Sequence, residues 1–219
     1  MYKGCIFDLD GTLADTVESI AYSANRAIQE CGFEPNPVEA YKLFAGDGAD
    51  KMLERGLIAA GDENLRCFEQ VKQRYKEIFE KDCMYKVKPY EGIPELLKEL
   101  KDKNIKIAVL SNKPHKRTVD VIESLFGKDY FDIIMGQSKH IKRKPSPDGA
   151  LIIADEFGLL TNECIYIGDT NTDMITGKSA NMFTVGVTWG FRDRQELEEN
   201  YADLIIDSPL ELLEIEDIQ

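Results

Sequence analysis

Two carboxylates, two residues apart, close the first apolar run of the chain: Gly4-Cys5-Ile6-Phe7 leads straight into Asp8-Leu9-Asp10-Gly11-Thr12. Such a run reads as a buried strand. Acidic side chains at its carboxyl end must be solvated, paired or bound to a cation. In an open α/β sheet, that end of a strand is where ligands bind. The plainer reading is a strand-end turn with Asp as turn former. Three later segments weigh against it. Ile105 to Leu110 is a second strand-like run, ending on Ser111-Asn112. Lys144 sits in Arg143-Lys144-Pro145-Ser146-Pro147, just before an amphipathic helix. Cys164 to Gly168 is another strand-like run, ending on Asp169-Thr170-Asn171-Thr172-Asp173. Asp169 and Asp173 fall on one face if a helix starts there. Their alternative is as acids complementing the positive end of that helix.

These residues can meet only if the intervening chain allows it. Between Asp15 and Tyr85 no strand is visible. Helices are expected over 16–31, where Ile20, Ala24, Ala27 and Ile28 share a face and Gly32 stops the run, and over 38–44, 49–60 and 64–82. Residues 15–86 therefore read as an inserted helical domain. The remainder, 1–14 and 87–219, alternates helix and strand: helices over 92–103, 116–126 and 147–157, a short strand over 131–135 and a further strand over 182–187. An irregular segment holding Trp189 follows, and a final helix over 211–219. Alternation of this kind predicts a Rossmann-like parallel sheet with helices on both faces, beside a small all-helical domain. Asp8 and Asp169 can share a ligand only if their strands are neighbours.

The chain carries 27 basic against 40 acidic residues in 219, a formal net charge of −13. That balance argues against nucleic acid and anionic membrane as partners, since both call for a basic patch. No apolar run approaches membrane-spanning length. The five cysteines show no metal-ligand or redox spacing, and Cys5 and Cys164 read as buried thiols. The chain starts directly on its first strand, with no signal peptide, so the expectation is a reduced, cytoplasmic protein.

The four segments, in order and spacing, resemble motifs one to four of the haloacid dehalogenase-like hydrolases. The resemblance covers essentially the whole chain. It implies Mg²⁺-dependent phosphoryl transfer, with Asp8 as nucleophile forming an aspartyl-phosphate. Asp10 would be general acid and then base, which asks for a raised pKa. Lys144 would neutralise developing charge and orient Asp8. Thr12, Ser111, Asn112 and Lys144 would bind the phosphoryl group. Asp8, Asp169, the Asp10 carbonyl and Asp173 would hold the metal, Asp173 directly, through water or as support. His115 and His140 lie outside the motifs.

In this family the helical insertion is a cap that chooses the substrate, a small phosphorylated metabolite. Phe44-Ala45-Gly46-Asp47-Gly48-Ala49 resembles the cap loop of phosphoglycolate phosphatases, which typically reads Val-Gly-Asn-Gly-Ala, with Asp47 in place of the Asn. Val187 to Arg192 and Ile205 to Pro209 look like the same subgroup. Lys42, Lys51 and Arg55 are cations that could meet a substrate carboxylate, although for any one of them surface charge on a cap helix is the favoured reading. Two rivals stand beside a phosphatase. A β-phosphoglucomutase-like enzyme shares the motifs and passes the phosphoryl group to a sugar hydroxyl. A phospho-aspartate signalling receiver uses similar carboxylates but has no helical insertion.

Overall fold

The computed structural model describes residues 1–216 and 218. The chain forms two compact units, Met1–Ala14 with Pro89–Gln219, and Asp15–Lys88. It crosses between them through two two-residue strands, β2 (Ala14–Asp15) and β3 (Lys88–Pro89), which pair with each other.

The larger unit is built on a parallel sheet. Its strands are β1 (Gly4–Phe7), β4 (Lys106–Pro114), β5 (Ile133–Gln137), β6 (Cys164–Gly168), β7 (Phe183–Val187) and β8 (Leu204–Ile206), in the order β5-β4-β1-β6-β7-β8. β1 is central, with Phe7 level with Val109 on one side and Ile167 on the other. The topology changes direction at β1, so a crevice is expected beyond its carboxyl end. Burial on both faces explains the continuous apolar runs of β1 and β6. Ile6, Leu110, Met135 and Tyr166 pack with Ala150, Ile153 and Phe157 of α7 (Asp148–Phe157) into one core layer. α5 (Ile93–Asp102) buries Ile93, Leu96, Leu97 and Leu100, the expected stripe. Cys5 and Cys164 are fully buried within the sheet, and burial pushes both thiols above their usual range.

The structure differs from the sequence reading at several edges. β4 does not stop at Leu110. It continues to Pro114, and its register with β5 shifts between Ser111 and Pro114. Such a bulge re-aims side chains, and here it contains Ser111, Asn112 and Lys113. The segment after Trp189 is not wholly irregular: Asp193 caps the N–H of Glu196 to open α9 (Arg194–Glu199), and three-residue β8 adds an edge strand. Both are too short to leave a periodic signal. The expected terminal helix over 211–219 is a 3₁₀ turn, Pro209–Glu214, while Asp217 and Gln219 lie outside the described residues.

The smaller unit contains α1 (Val17–Glu30), α2 (Ala40–Phe44), α3 (Ala49–Ala59) and α4 (Phe68–Asp82). α4 begins four residues later than its apolar stripe suggests. Leu65 takes a left-handed conformation and the Asp62 carboxylate accepts the Cys67 N–H at 2.8 Å, turning the chain before the helix starts. Tyr41 is fully buried, and its hydroxyl donates to Asn25 Oδ1 at 2.8 Å. The Asn25 carboxamide in turn pairs with the Asn36 backbone at 2.8 Å in both directions, a satisfied polar core. No described helix of the chain is long and apolar enough to cross a membrane.

Candidate active site

The chemistry-bearing residues of the larger unit converge at the carboxyl ends of β1, β4 and β6. Asp8 follows β1 and Asp169 follows β6. The parallel ladder continues one step past β1, where Asp8 N–H donates to Ile167 O at 2.9 Å. Asp173 stands on the first turn of α8 (Asn171–Ser179), whose N-cap is Thr170. Oxygens of Asp8, Asp169 and Asp173 lie within 4.8 Å of one another, all buried. The Lys144 ammonium bridges two of them, donating at 2.7 Å to Asp8 Oδ1 and at 2.7 Å to Asp173 Oδ1.

Close approach here depends on glycine. A Cβ on Gly168 would sit 2.3 Å from the Asp173 side chain. One on Gly11, whose φ is +94°, would sit 2.2 Å from Asp169 Oδ2.

Three carboxylates around one ammonium leave excess negative charge in a buried place. Burial pushes Asp8 well above the usual carboxylate range; Lys144 opposes that, while Asp173, Asp169 and Asp10 add to it. Burial, then Asp173, pushes Asp169 up to about 7, against hydrogen bonds from Phe191 N–H and Thr12. For Lys144 burial disfavours the charge, but Asp173 and Asp8 outweigh it and hold the amine protonated. This donor set, hard oxygen ligands with uncompensated charge, fits a divalent metal ion.

Each member is held by named partners. Asp169 accepts from Thr12 Oγ at 2.9 Å and from the Phe191 N–H at 2.7 Å. Asp173 Oδ2 accepts from Thr170 N–H at 3.1 Å and from Thr170 Oγ at 2.7 Å. The Asn112 carboxamide takes the Lys144 N–H at 2.9 Å and donates to the Lys144 carbonyl at 3.1 Å. Two residues expected to face a phosphoryl group also contact other members of the site: the Thr12 hydroxyl donates to Asp169, and the Asn112 side chain holds the Lys144 backbone. Ser111 is buried, and its hydroxyl accepts the Lys113 N–H at 3.2 Å. Asp10, expected among anions, is ion-paired with the buried Lys113 at 2.7 Å.

Lys113, one of the cations the sequence offers to an anionic substrate, is the partner of Asp10; three contributors escaped the sequence reading of the site: Thr170, the Phe191 N–H, and Tyr166, whose hydroxyl lies 3.4 Å from Asp173 Oδ1. The signal for Phe191 was present in Trp189-Gly190, since that segment follows a strand whose end points the same way. Trp189 Nε1 donates to the Thr12 carbonyl at 3.0 Å. His115 is not part of this group; its Nδ1 accepts the Gly136 N–H at 3.3 Å.

In the smaller unit, Gly46 and Gly48 take φ of +115° and +90°. Arg55 braces the loop between them, pairing with the Asp47 carboxylate and donating to the Phe44 carbonyl at 2.8 Å. Lys42 pairs with Glu39 and Lys51 with Glu54.

A family model for the haloacid dehalogenase-like hydrolases matches residues 5–187. A phosphoglycolate phosphatase of Aquifex aeolicus is 30% identical over 97% of this chain and 95% of its own length. One of Neisseria meningitidis is 30% identical over 95% and 91%. A crystal structure from Lactobacillus delbrueckii subsp. bulgaricus, provisionally assigned as a phosphoglycolate phosphatase, superposes with a TM-score of 0.91 at 31% identity, covering 97% of each chain. A hydrolase family and phosphatase relatives over nearly the full length mark an enzyme of the phosphatase type. The chain belongs to the haloacid dehalogenase-like hydrolase family, and within it resembles the phosphoglycolate phosphatases.

Proposed function

We propose that the enzyme hydrolyses a small carboxylated phosphate monoester, phosphoglycolate or a close analogue, through an aspartyl-phosphate on Asp8. The observation that carries the reading is the buried Lys144 ammonium, held 2.7 Å from both Asp8 and Asp173 beside Asp169. Asp8 attacks phosphorus, the phosphorus–oxygen ester bond breaks, and the leaving oxygen takes a proton from Asp10. Asp10 then takes a proton from a water molecule that attacks the same phosphorus, which frees Asp8 and releases phosphate. Lys144 offsets charge on the phosphoryl oxygens and keeps Asp8 in line. Lys113 positions the Asp10 carboxylate and, with Lys144, brings positive charge to an anionic substrate in an acidic protein.

Asp8, Asp169 and the Asp10 carbonyl would hold Mg²⁺, with Asp173 as support through Lys144; when bound, the ion supplies further neutralisation of the phosphoryl oxygens. Residues 15–86 act as a cap in this reading, and the Gly46-Asp47-Gly48 loop contributes to substrate choice. The curated relatives named above are phosphatases, which favours water over a sugar hydroxyl as the acceptor. The test is phosphate release from a panel of small phosphoesters with and without Mg²⁺. The expected result is Mg²⁺-dependent turnover that is fastest with a two- or three-carbon carboxylated ester. Absence of release from every monoester would overturn it.

A further inference from the structure

Two stretches of chain outside the sheet hold the Asp169 carboxylate. One is its own continuation through Thr170 into α8. The other is the segment between β7 and α9, which belongs to neither element. Both lie tight against it. The Phe191 N–H donates to Asp169 Oδ2 at 2.7 Å, and a Cβ on Gly190 would sit 2.4 Å from the Asp169 Cβ. Packing this close leaves little room for either stretch to drift. One carboxylate oxygen joins the two. Glu196 Oε1 accepts the Asn171 N–H at 3.1 Å, two residues after Asp169, and pairs with Arg192 Nε at 3.2 Å, one residue after Phe191. Asn171 opens α8, where backbone N–H groups have no partner within the helix. Glu196 is itself fixed. Asp193 caps its N–H at 3.0 Å, Asn200 Nδ2 donates to its carbonyl at 2.8 Å, and its neighbour Leu197 is fully buried against Gly186 of β7.

We propose that Glu196 and Arg192 are positioning residues for metal binding. Together they clamp the two stretches that hold Asp169, and so set the affinity of the site for a divalent cation. The proposal rests on the reading of Asp169 as a metal ligand. Both residues act through Asp169, and neither is assigned a contact with the ion. Groups that orient metal ligands commonly change metal affinity by about 10–100-fold when they are removed. The two contacts of Glu196 differ in what they need. The Asn171 N–H needs an acceptor, which an amide oxygen also supplies. Arg192 needs the charge, since a charge-assisted bond is about twice as strong as a neutral one. The effect is therefore graded: E196Q keeps the first contact and weakens the second, while E196A loses both.

The test is calorimetric titration of Mg²⁺ into the whole protein, with metal-free unfolding in urea to show that each variant is folded. E196A should raise the dissociation constant at least about tenfold, and E196Q and R192M about three- to fivefold. R194M breaks the exposed Arg194–Asp207 pair on the same helix and should change it less than about twofold. No binding by the wild-type chain would overturn the metal reading itself. Wild-type binding with E196A less than about threefold weaker would overturn the clamp alone. An equal rise in R194M and E196A would also overturn it, because that marks general loosening of α9. If E196A is unfolded, E196Q and R192M decide: both binding as tightly as the wild-type chain would overturn the clamp.

Discussion

The carboxylate cluster of the larger unit and the glycine loop of the smaller one are built on opposite principles. The cluster is buried, and Asp8, Asp169, Asp173 and Lys144 are each held by at least one charged or backbone partner drawn from a distant part of the chain. Arg55, a few residues downstream, braces the loop, and its shape rests on two positive-φ glycines. Long-range fixation of this kind resists sequence drift, because any change breaks several contacts at once. A locally braced loop can change shape with one or two substitutions. That division suits an enzyme family that keeps one chemistry and varies its substrates.

If the cluster is the reacting centre, Asp8→Asn is the most damaging change to turnover. It should lower kcat by at least 1,000-fold, about 4 kcal/mol of barrier, with no loss of stability in urea. Stability should hold because burial and three neighbouring carboxylates already oppose the Asp8 charge. Lys144→Ala should do the reverse to the balance: a loss of roughly 100-fold or more in kcat, together with a fall of about 3–5 kcal/mol in unfolding free energy, since two buried carboxylates lose their partner. Equal stability of the two variants would break the comparison.

Metal binding sharpens it without recourse to activity. Mg²⁺ at about 100 times its dissociation constant should stabilise the protein by ~2.7 kcal/mol, read as a thermal shift, and Asp169→Asn should abolish that shift. Tyr166→Phe removes one long hydrogen bond to Asp173 and should cost about 1 kcal/mol in kcat, leaving KM unchanged. The smallest effect is expected in the loop. Gly48→Leu places a side chain at φ +90° and should lower kcat/KM several-fold for a carboxylated ester, with little effect on an aryl phosphate that draws less on remote binding energy. Equal effects on both would make the loop a structural turn.

Legibility in the sequence followed the same division. The central strands announced themselves because burial on both faces requires unbroken apolar runs, and the carboxylates at their ends stood out against them. That β1 and β6 are neighbours followed once Asp8 and Asp169 were required to meet. What the sequence hid is three-dimensional bookkeeping. No spacing shows that Thr12 faces Asp169, that Asn112 grips the Lys144 backbone, or that Lys113 rather than solvent answers Asp10. The bulge that turns Ser111 to Lys113 out of register is likewise a property of pairing with β5. β8 and α9 were missed because three and six residues are too few to show a period.

The central claim is that Asp8 carries the phosphoryl group in transit. The most direct measurement is acid quenching during turnover of a carboxylated phosphoester with Mg²⁺, borohydride reduction of any acyl-phosphate, and peptide mapping. The account predicts reduction of Asp8 to homoserine in the peptide spanning Cys5 to Asp10, only when substrate is present, and none in Asp10→Ala protein that has never met substrate. Turnover with no reduced carboxylate at Asp8, or with the reduced residue at Asp10, Asp169 or Asp173, would contradict it.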